Sequence, residues 1–319
     1  MRVLVTGGAG YIGSHVVLEL CEKGYEVIVL DDLSSGNKNA VDHRAKFING
    51  STLNNSDIEL VLENVEAVIH LAAFKAAGES MIDPIKYSHN NIIGSINLLN
   101  AVIKHKINKF VFSSTAAVYG YPEYLPVDEN HPLAPINYYG FTKLEIERLL
   151  KWYSELKEFR FAALRYFNAA GYDINNRLNF LEKNPVNLIP VTMEVASGLR
   201  EKMFVFGNNY DTPDGTGIRD YIHVSDLAKA HVEALNFLQK NKNLKVNLST
   251  GKKHSVIDVI KMTSKVSGKE INYEIVKRRA GDPAELYASS DLAFDTLNWK
   301  PTCSDLKTLI ESTWNVYNK

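Results

Sequence analysis

Cysteine is almost missing from this 319-residue chain. The two present, Cys21 and Cys303, are too few for a disulfide framework or a cysteine-rich zinc site. Charge of one sign is missing too: 36 basic and 37 acidic side chains leave a net charge of −1. That excludes a whole-chain electrostatic footprint, so neither nucleic acid nor a membrane surface is expected as a partner. No apolar run approaches the roughly 20 residues that span a bilayer. The start, Met1-Arg2-Val3-Leu4-Val5, enters a strand-like run without an apolar leader or a small-residue cleavage site. The nine histidines form no close grouping with Cys or carboxylates at ligand spacing, so no metal site is expected. A Gly-x-Ser-x-Gly elbow is absent, which disfavours a serine hydrolase. Against these absences, 45% hydrophobic and 23% charged residues make an ordinary globular composition. The expectation is a soluble cytoplasmic protein with a sizeable core.

Short apolar runs alternate with helical stretches. Val3–Val5, Val27–Leu30, Lys46–Ile48, Ala67–Leu71, Phe110–Phe112 and Phe161–Leu164 read as strands. Helix-like segments lie between them, near 11–23, 54–63, 84–105 and 139–156. Strands separated by helices of ten residues or more predict βαβ units and a parallel sheet covered on both faces. The fold class is therefore α/β, a doubly wound Rossmann-type sheet. After about residue 170 Gly, Pro, Asn and Asp cluster in 171–190 and 207–217, with helix-like stretches near 225–240 and 255–266 around Val246–Leu248. We expect a dinucleotide-binding domain over 1–170, with possible returns of the chain from its C-terminal half. A smaller loop-rich α/β substrate domain is expected over 171–319. No Ser/Gly linker separates them, so the two should share a cleft.

Thr6-Gly7-Gly8-Ala9-Gly10-Tyr11-Ile12-Gly13 sets Gly7, Gly10 and Gly13 at three-residue intervals between a strand and a helix. Such glycines let the backbone approach a pyrophosphate, and the helix N-terminus offers free N–H groups and partial positive charge. Asp31 follows at the end of the next strand, where a carboxylate accepts both ribose hydroxyls and repels a 2′-phosphate. NAD is thus favoured over NADP. A P-loop fails because Ser14 stands where lysine is required.

Tyr139 and Lys143 lie four apart on a predicted helix and share a face. An ammonium beside a phenol favours the phenolate. Bringing a phenol from about 10 to near neutrality requires roughly 4 kcal/mol. Alone, such a pair is usually a solvated surface contact. Here it accompanies a glycine loop and a hydroxyl cluster, Ser113-Ser114-Thr115, at the C-terminal end of a strand, the edge where open α/β sheets bind ligands.

Thr6–Gly13, Ser113–Thr115 and Tyr139–Lys143, in this order, resemble the extended short-chain dehydrogenase/reductase family, most of all its UDP-sugar 4-epimerase branch. Lys75–Ser80, Phe112–Gly120, Leu164–Asn168, Asp214–His223 and Arg278-Arg279-Ala280-Gly281-Asp282 carry the likeness to about residue 315. The resemblance implies a homodimer that holds NAD permanently and inverts C4 of UDP-glucose and UDP-galactose. Tyr139 would take the 4-hydroxyl proton, Thr115 would hold O4, and Lys143 would bind the nicotinamide ribose and hold down the Tyr139 pKa. The 4-keto sugar would swing over before hydride returns to its other face. The implied cofactor contacts are Gly7, Gly10, Tyr11, Ile12, Gly13, Asp31, Asp32, Ser35, Gly36, Ser51, Thr52, Leu71, Ala72, Ala73, Lys75, Asn90, Tyr139, Lys143 and Phe167. The implied substrate contacts are Lys75, Thr115, Tyr139, Asn168, Asn187, Leu188, Phe206, Arg219, Arg279 and Asp282. The dimer helices would be those near 88–105 and 139–156.

Several positions depart from the family pattern. Ser51 stands where an Asp usually accepts from the adenine amino group, a contact weaker by about 1 kcal/mol. Thr115 replaces a more frequent Ser, and Ile93 a frequent Asn. Leu286 is smaller than the Tyr of some members at the sugar wall, so N-acetylated UDP-sugars are an alternative substrate. Dehydratases of this family carry Asp-Glu after the active-site Thr, and decarboxylases an acid two residues on; Ala116-Ala117 supply neither. A catalytically silent NAD-binding protein is the remaining alternative, and the joint presence of Thr115, Tyr139 and Lys143 argues against it.

Overall fold

The computed structural model describes residues 1–182, 184–240, 243–279 and 281–318. Seven parallel strands form its main sheet: β1 (Arg2–Thr6), β2 (Glu26–Asp31), β3 (Lys46–Asn49), β4 (Ala67–His70), β5 (Lys109–Thr115), β6 (Arg160–Tyr166) and β7 (Leu244–Leu248). Their spatial order is β7-β6-β5-β4-β1-β2-β3, so the winding reverses between β1 and β4. A ligand crevice is expected beyond the carboxyl ends of those two strands.

Continuous apolar strands arise because both faces are covered. Val3 and Val5 of β1, with Val27 and Val29 of β2, enter one core, whereas Leu4, Ile28 and Leu30 enter the opposite one. This is the two-residue alternation of a pleated strand, with no polar side left over. The first core is closed by α1 (Tyr11–Glu22), the second by α2 (Asn55–Val61), α3 (Gly94–Lys104) and α4 (Tyr138–Leu156). Helix Val224–Lys240 and β7 lie beyond residue 170, yet Leu227, Leu235 and Val246 fill the first core. A separate apolar cluster joins Ile189 and Met193, Val259, and Leu309 and Val316 from three helices, Leu188–Ala196, Val256–Ser267 and Leu306–Tyr317.

The single helix expected near 84–105 is corrected. One turn, Pro84–Tyr87, passes into a wider π segment, Ser88–Ile93, before α3 begins. Such wide turns often accompany functional sites. Here the turn carries Asn91 inward, fully buried. Its amide bridges both backbone groups of Phe74 (accepting at 2.9 Å, donating at 3.0 Å) and donates to Thr142 Oγ1 at 3.3 Å.

Candidate active site at the switch in strand order

A cleft of about 440 Å³ opens where the winding reverses. Its floor is backbone. Gly7 has φ +73°, and a Cβ built there would lie 2.6 Å from the Ala72 amide nitrogen. One built on Gly13 would lie 2.0 Å from the Gly7 carbonyl oxygen. α1 starts at this loop with no side-chain cap and no acid in its first turn. Gly10, Tyr11, Ile12 and Gly13 line the cleft there. An uncapped twelve-residue helix aimed at a cleft is suited to a diphosphate. Asp31 is buried, accepting from Ala9 and Leu33 amides at 2.9 Å each; burial pushes its carboxyl above the usual range despite these donors. A two-oxygen acceptor remains at the end of β2, so the residues present fit an NAD molecule. Ser51 borders the cleft; its amide donates to Asp57, and its hydroxyl accepts from the Leu53 amide.

Beneath the floor, His70 bridges Thr6 at 2.6 Å and Ser95 at 2.8 Å, joining β1, β4 and α3. Burial drives its pKa down to about 3, so it is a neutral strut. No group of three or more His, Cys, Asp or Glu able to hold a metal occurs among the described residues.

The side chains expected to react come from β5 and α4. Asn137 caps α4 by accepting from the Gly140 amide at 2.8 Å, and the Tyr139 amide donates to Ser80 at 3.0 Å. The Tyr139 and Thr115 side chains border the same cleft. Burial pushes the Tyr139 phenol up to about 12, and the Thr115 side chain opposes that rise. Lys143 is buried, with Nζ donating to the Ser113 carbonyl at 2.7 Å and lying 5.9 Å from the Tyr139 ring centre. Desolvation lowers the Lys143 pKa to about 7. In the protein alone, burial drives both groups toward their neutral forms.

Most of the expected contacts converge. Gly7, Gly10 to Gly13, Asp31, Asp32, Ser35, Ser51, Thr52, Leu71 to Ala73, Lys75, Asn90, Thr115, Tyr139, Lys143, Phe167, Asn168 and Asn187 all border the cleft. Gly36 does not: its position packs beneath, where a Cβ would meet Asp31 and Ala9. Leu188 turns instead into the third core's edge. Phe206, Arg219, Arg279 and Asp282 also fall outside the cleft lining. They form a second cluster, in which the Arg279 guanidinium rests 3.7 Å from the Phe206 ring centre and Arg219 pairs with Asp282 at 3.6 Å. Of the motif 278–282, Ala280 lies outside the described residues. Sequence reading missed Glu182, which pairs with Lys75 across the cleft. It also missed Tyr166, whose hydroxyl contacts Ser113. A carboxylate in an irregular loop carries no spacing signal. Tyr166 could have been found, since it ends β6 directly beside Thr115.

These features define a class: a Rossmann-type, NAD-binding enzyme, whose cleft here brings Thr115, Tyr139 and Lys143 together. The profile of the NAD dependent epimerase/dehydratase family matches residues 3–249, and the chain belongs to that family. It is 45% identical over 318 residues to a UDP-glucose 4-epimerase of Halalkalibacterium halodurans, covering 99% of this chain and 95% of that one. A UDP-glucose 4-epimerase of Bacillus subtilis is 44% identical over 94% of this chain and 92% of its own. Among solved structures, the Brucella ovis UDP-glucose 4-epimerase in complex with NAD superimposes with a TM-score of 0.96 at 41% identity, over 99% of this chain and 98% of that one. The Bifidobacterium longum enzyme in complex with NAD+ and UDP gives 0.95 at 38% identity, over 100% and 98%.

Proposed function

We propose that this chain interconverts UDP-glucose and UDP-galactose by inverting C4. The observation that carries the reading is the convergence of Thr115, Tyr139 and Lys143 on one cleft at the C-terminal edge of β5, beside a floor suited to a dinucleotide. Bound NAD supplies a hydride acceptor for C4 and a positive ring beside the phenol. Tyr139 takes the O4 proton and later returns it, Thr115 orients O4, and Lys143 holds the nicotinamide ribose. The α1 N-terminus holds the diphosphate of the cofactor and Asp31 its ribose hydroxyls. Arg219, Arg279, Asp282 and Asn187 grip the UDP, with Phe206 beneath Arg279. Binding energy placed on UDP leaves the sugar free to present either face. Dehydration is disfavoured because Ala116 and Ala117, in the turn after Thr115, bring no carboxylate.

The test is incubation with UDP-galactose, without added NAD, followed by assay for UDP-glucose. Tyr139→Phe should cut turnover roughly 100-fold or more while leaving UDP affinity unchanged. A variant with parental turnover would remove the role given to Tyr139. Leu286 favours a second reading, acceptance of N-acetylated UDP-sugars. It packs against the cluster holding the cleft residue Phe167, and its strand runs beside Arg219. Absence of turnover with UDP-N-acetylglucosamine ends that reading. No described helix is long and apolar enough to cross a membrane; the proposed setting is the cytoplasm. The proposed assembly is a homodimer, supported by exposed Ile82, Ile85, Trp152 and Leu156 on and beside α4. A monomer in sedimentation would end it.

A further inference from the structure

Two of the last three residues of β5 meet α4 directly, and one of these meetings has no place in the chemistry above. Ser113 receives Lys143 through its carbonyl, and Thr115 borders the same cleft as Tyr139. Between them, Ser114 Oγ donates to Glu147 Oε1 at 2.5 Å. Ser114 and Glu147 are both completely buried. Glu147 stands one helical turn beyond Lys143, which stands one turn beyond Tyr139.

A carboxylate at that depth needs compensation, and Arg165 of β6 supplies it. Its Nε and Nη2 reach the two Glu147 oxygens at 2.9 and 2.6 Å. The remaining Arg165 group donates to the Tyr119 hydroxyl at 3.0 Å, which donates to Asn247 of β7 at 2.6 Å. Lys245 of β7 lies 4.0 Å from the same carboxylate. Replacing a buried ion pair of this kind with apolar side chains is often neutral or stabilising, so stability alone does not account for it. What it does uniquely is register. A charged pair with two fixed forks tolerates less sliding than apolar packing. The pair sits at the point where α4 must stay in step with the end of β5.

We propose that Ser114 and Glu147, locked by Arg165, are positioning residues that hold α4 in register with β5 so that Tyr139 shares the cleft with Thr115 and Lys143 meets Ser113. The inference rests on the epimerase reading. Neither residue touches substrate or cofactor; both act through their neighbours. Misplacing a reacting group by about 1 Å can cost roughly 100-fold in rate, so even partial slippage is measurable.

The experiment compares Ser114→Ala, Ser114→Thr and the parent, as purified. Ser114→Ala deletes the link and leaves the Arg165–Glu147 pair whole. Its kcat for UDP-galactose should fall about tenfold or more, with the Kd for UDP within about twofold and the thermal midpoint close to the parent's. Independently of turnover, amide hydrogen exchange at residues 139–143 should quicken. Ser114→Thr keeps the hydroxyl and should hold kcat within about threefold. Parental kcat and exchange in Ser114→Ala overturn the proposal, as does a Thr variant as slow as the Ala one. An inactive parent would instead sink the epimerase reading, so the two failures are distinguishable.

Discussion

Around Gly7–Gly13 the molecule leaves no room for one added carbon: a Cβ on Gly13 would sit 2.0 Å from a carbonyl oxygen. Around Arg279 the situation is reversed. An exposed guanidinium lies over Phe206, and the neighbouring Arg219 is held by Asp282 and by carbonyl oxygens of its own strand region. The first region is shaped by main chain wedged between β1, β4 and α1, the second by side-chain charge on short strands and loops. A backbone cradle cannot adjust to different guests, whereas long charged side chains can. The difference matches a site that keeps one ligand in place and lets another come and go.

The sharpest way to break this comparison is Gly13→Ala. The added methyl should destabilise the protein by about 3 kcal/mol and yield preparations stripped of NAD, as read by denaturant unfolding and by cofactor content after acid release. If Gly13→Ala retains NAD at parental levels, the backbone cradle is not the cofactor's holder. On the other side, Arg279→Ala should raise the KM for UDP-sugar roughly 10- to 100-fold, the span for losing a charge-assisted hydrogen bond. NAD content and the unfolding midpoint should stay parental; loss of NAD in this variant would erase the distinction between the regions.

The smallest effect concerns charge at the centre. The Lys143 pKa falls from 10.5 to about 7 on folding, through desolvation. Between those values the unfolded chain binds more protons, so stability from this group rises as pH rises from about 7 toward 10 and is lowest at and below 7. Lys143→Met removes the slope. The variant should be more stable than the parent near pH 7, and its advantage should shrink by about 1 kcal/mol per pH unit at most. Urea unfolding at several pH values checks this; parallel curves would show that burial does not disfavour the ammonium.

Much of the cradle was legible because its signals are local. Gly7, Gly10, Gly13 and Asp31 are fixed by the needs of one tight turn and one strand end, and Tyr139 with Lys143 by one helical turn. The unread parts depend on residues far apart in sequence. Glu182 gains meaning from Lys75, and Asn91 from Phe74 and Thr142. Helical periodicity read over 84–105 could not reveal the wide turn, because the partners of its buried Asn91, the Phe74 backbone and Thr142, lie outside that stretch. The same distance effect hides the burial of Tyr139 and Lys143, which comes from elements remote in sequence. Spacing on a helix reports proximity, not how thoroughly both groups are dried.

That wide turn has a genetic consequence. Ser88–Ile93 spends more than the usual number of residues on its turn, so the reading of faces before and after it is offset. Losing a single codon within it would let the spiral wind tightly again, with the flanking turns keeping their facing but without the wide turn that carries Asn91 inward. Asn91 would then leave the Phe74 backbone. Point substitutions in this stretch are therefore expected to be milder than any change in its length.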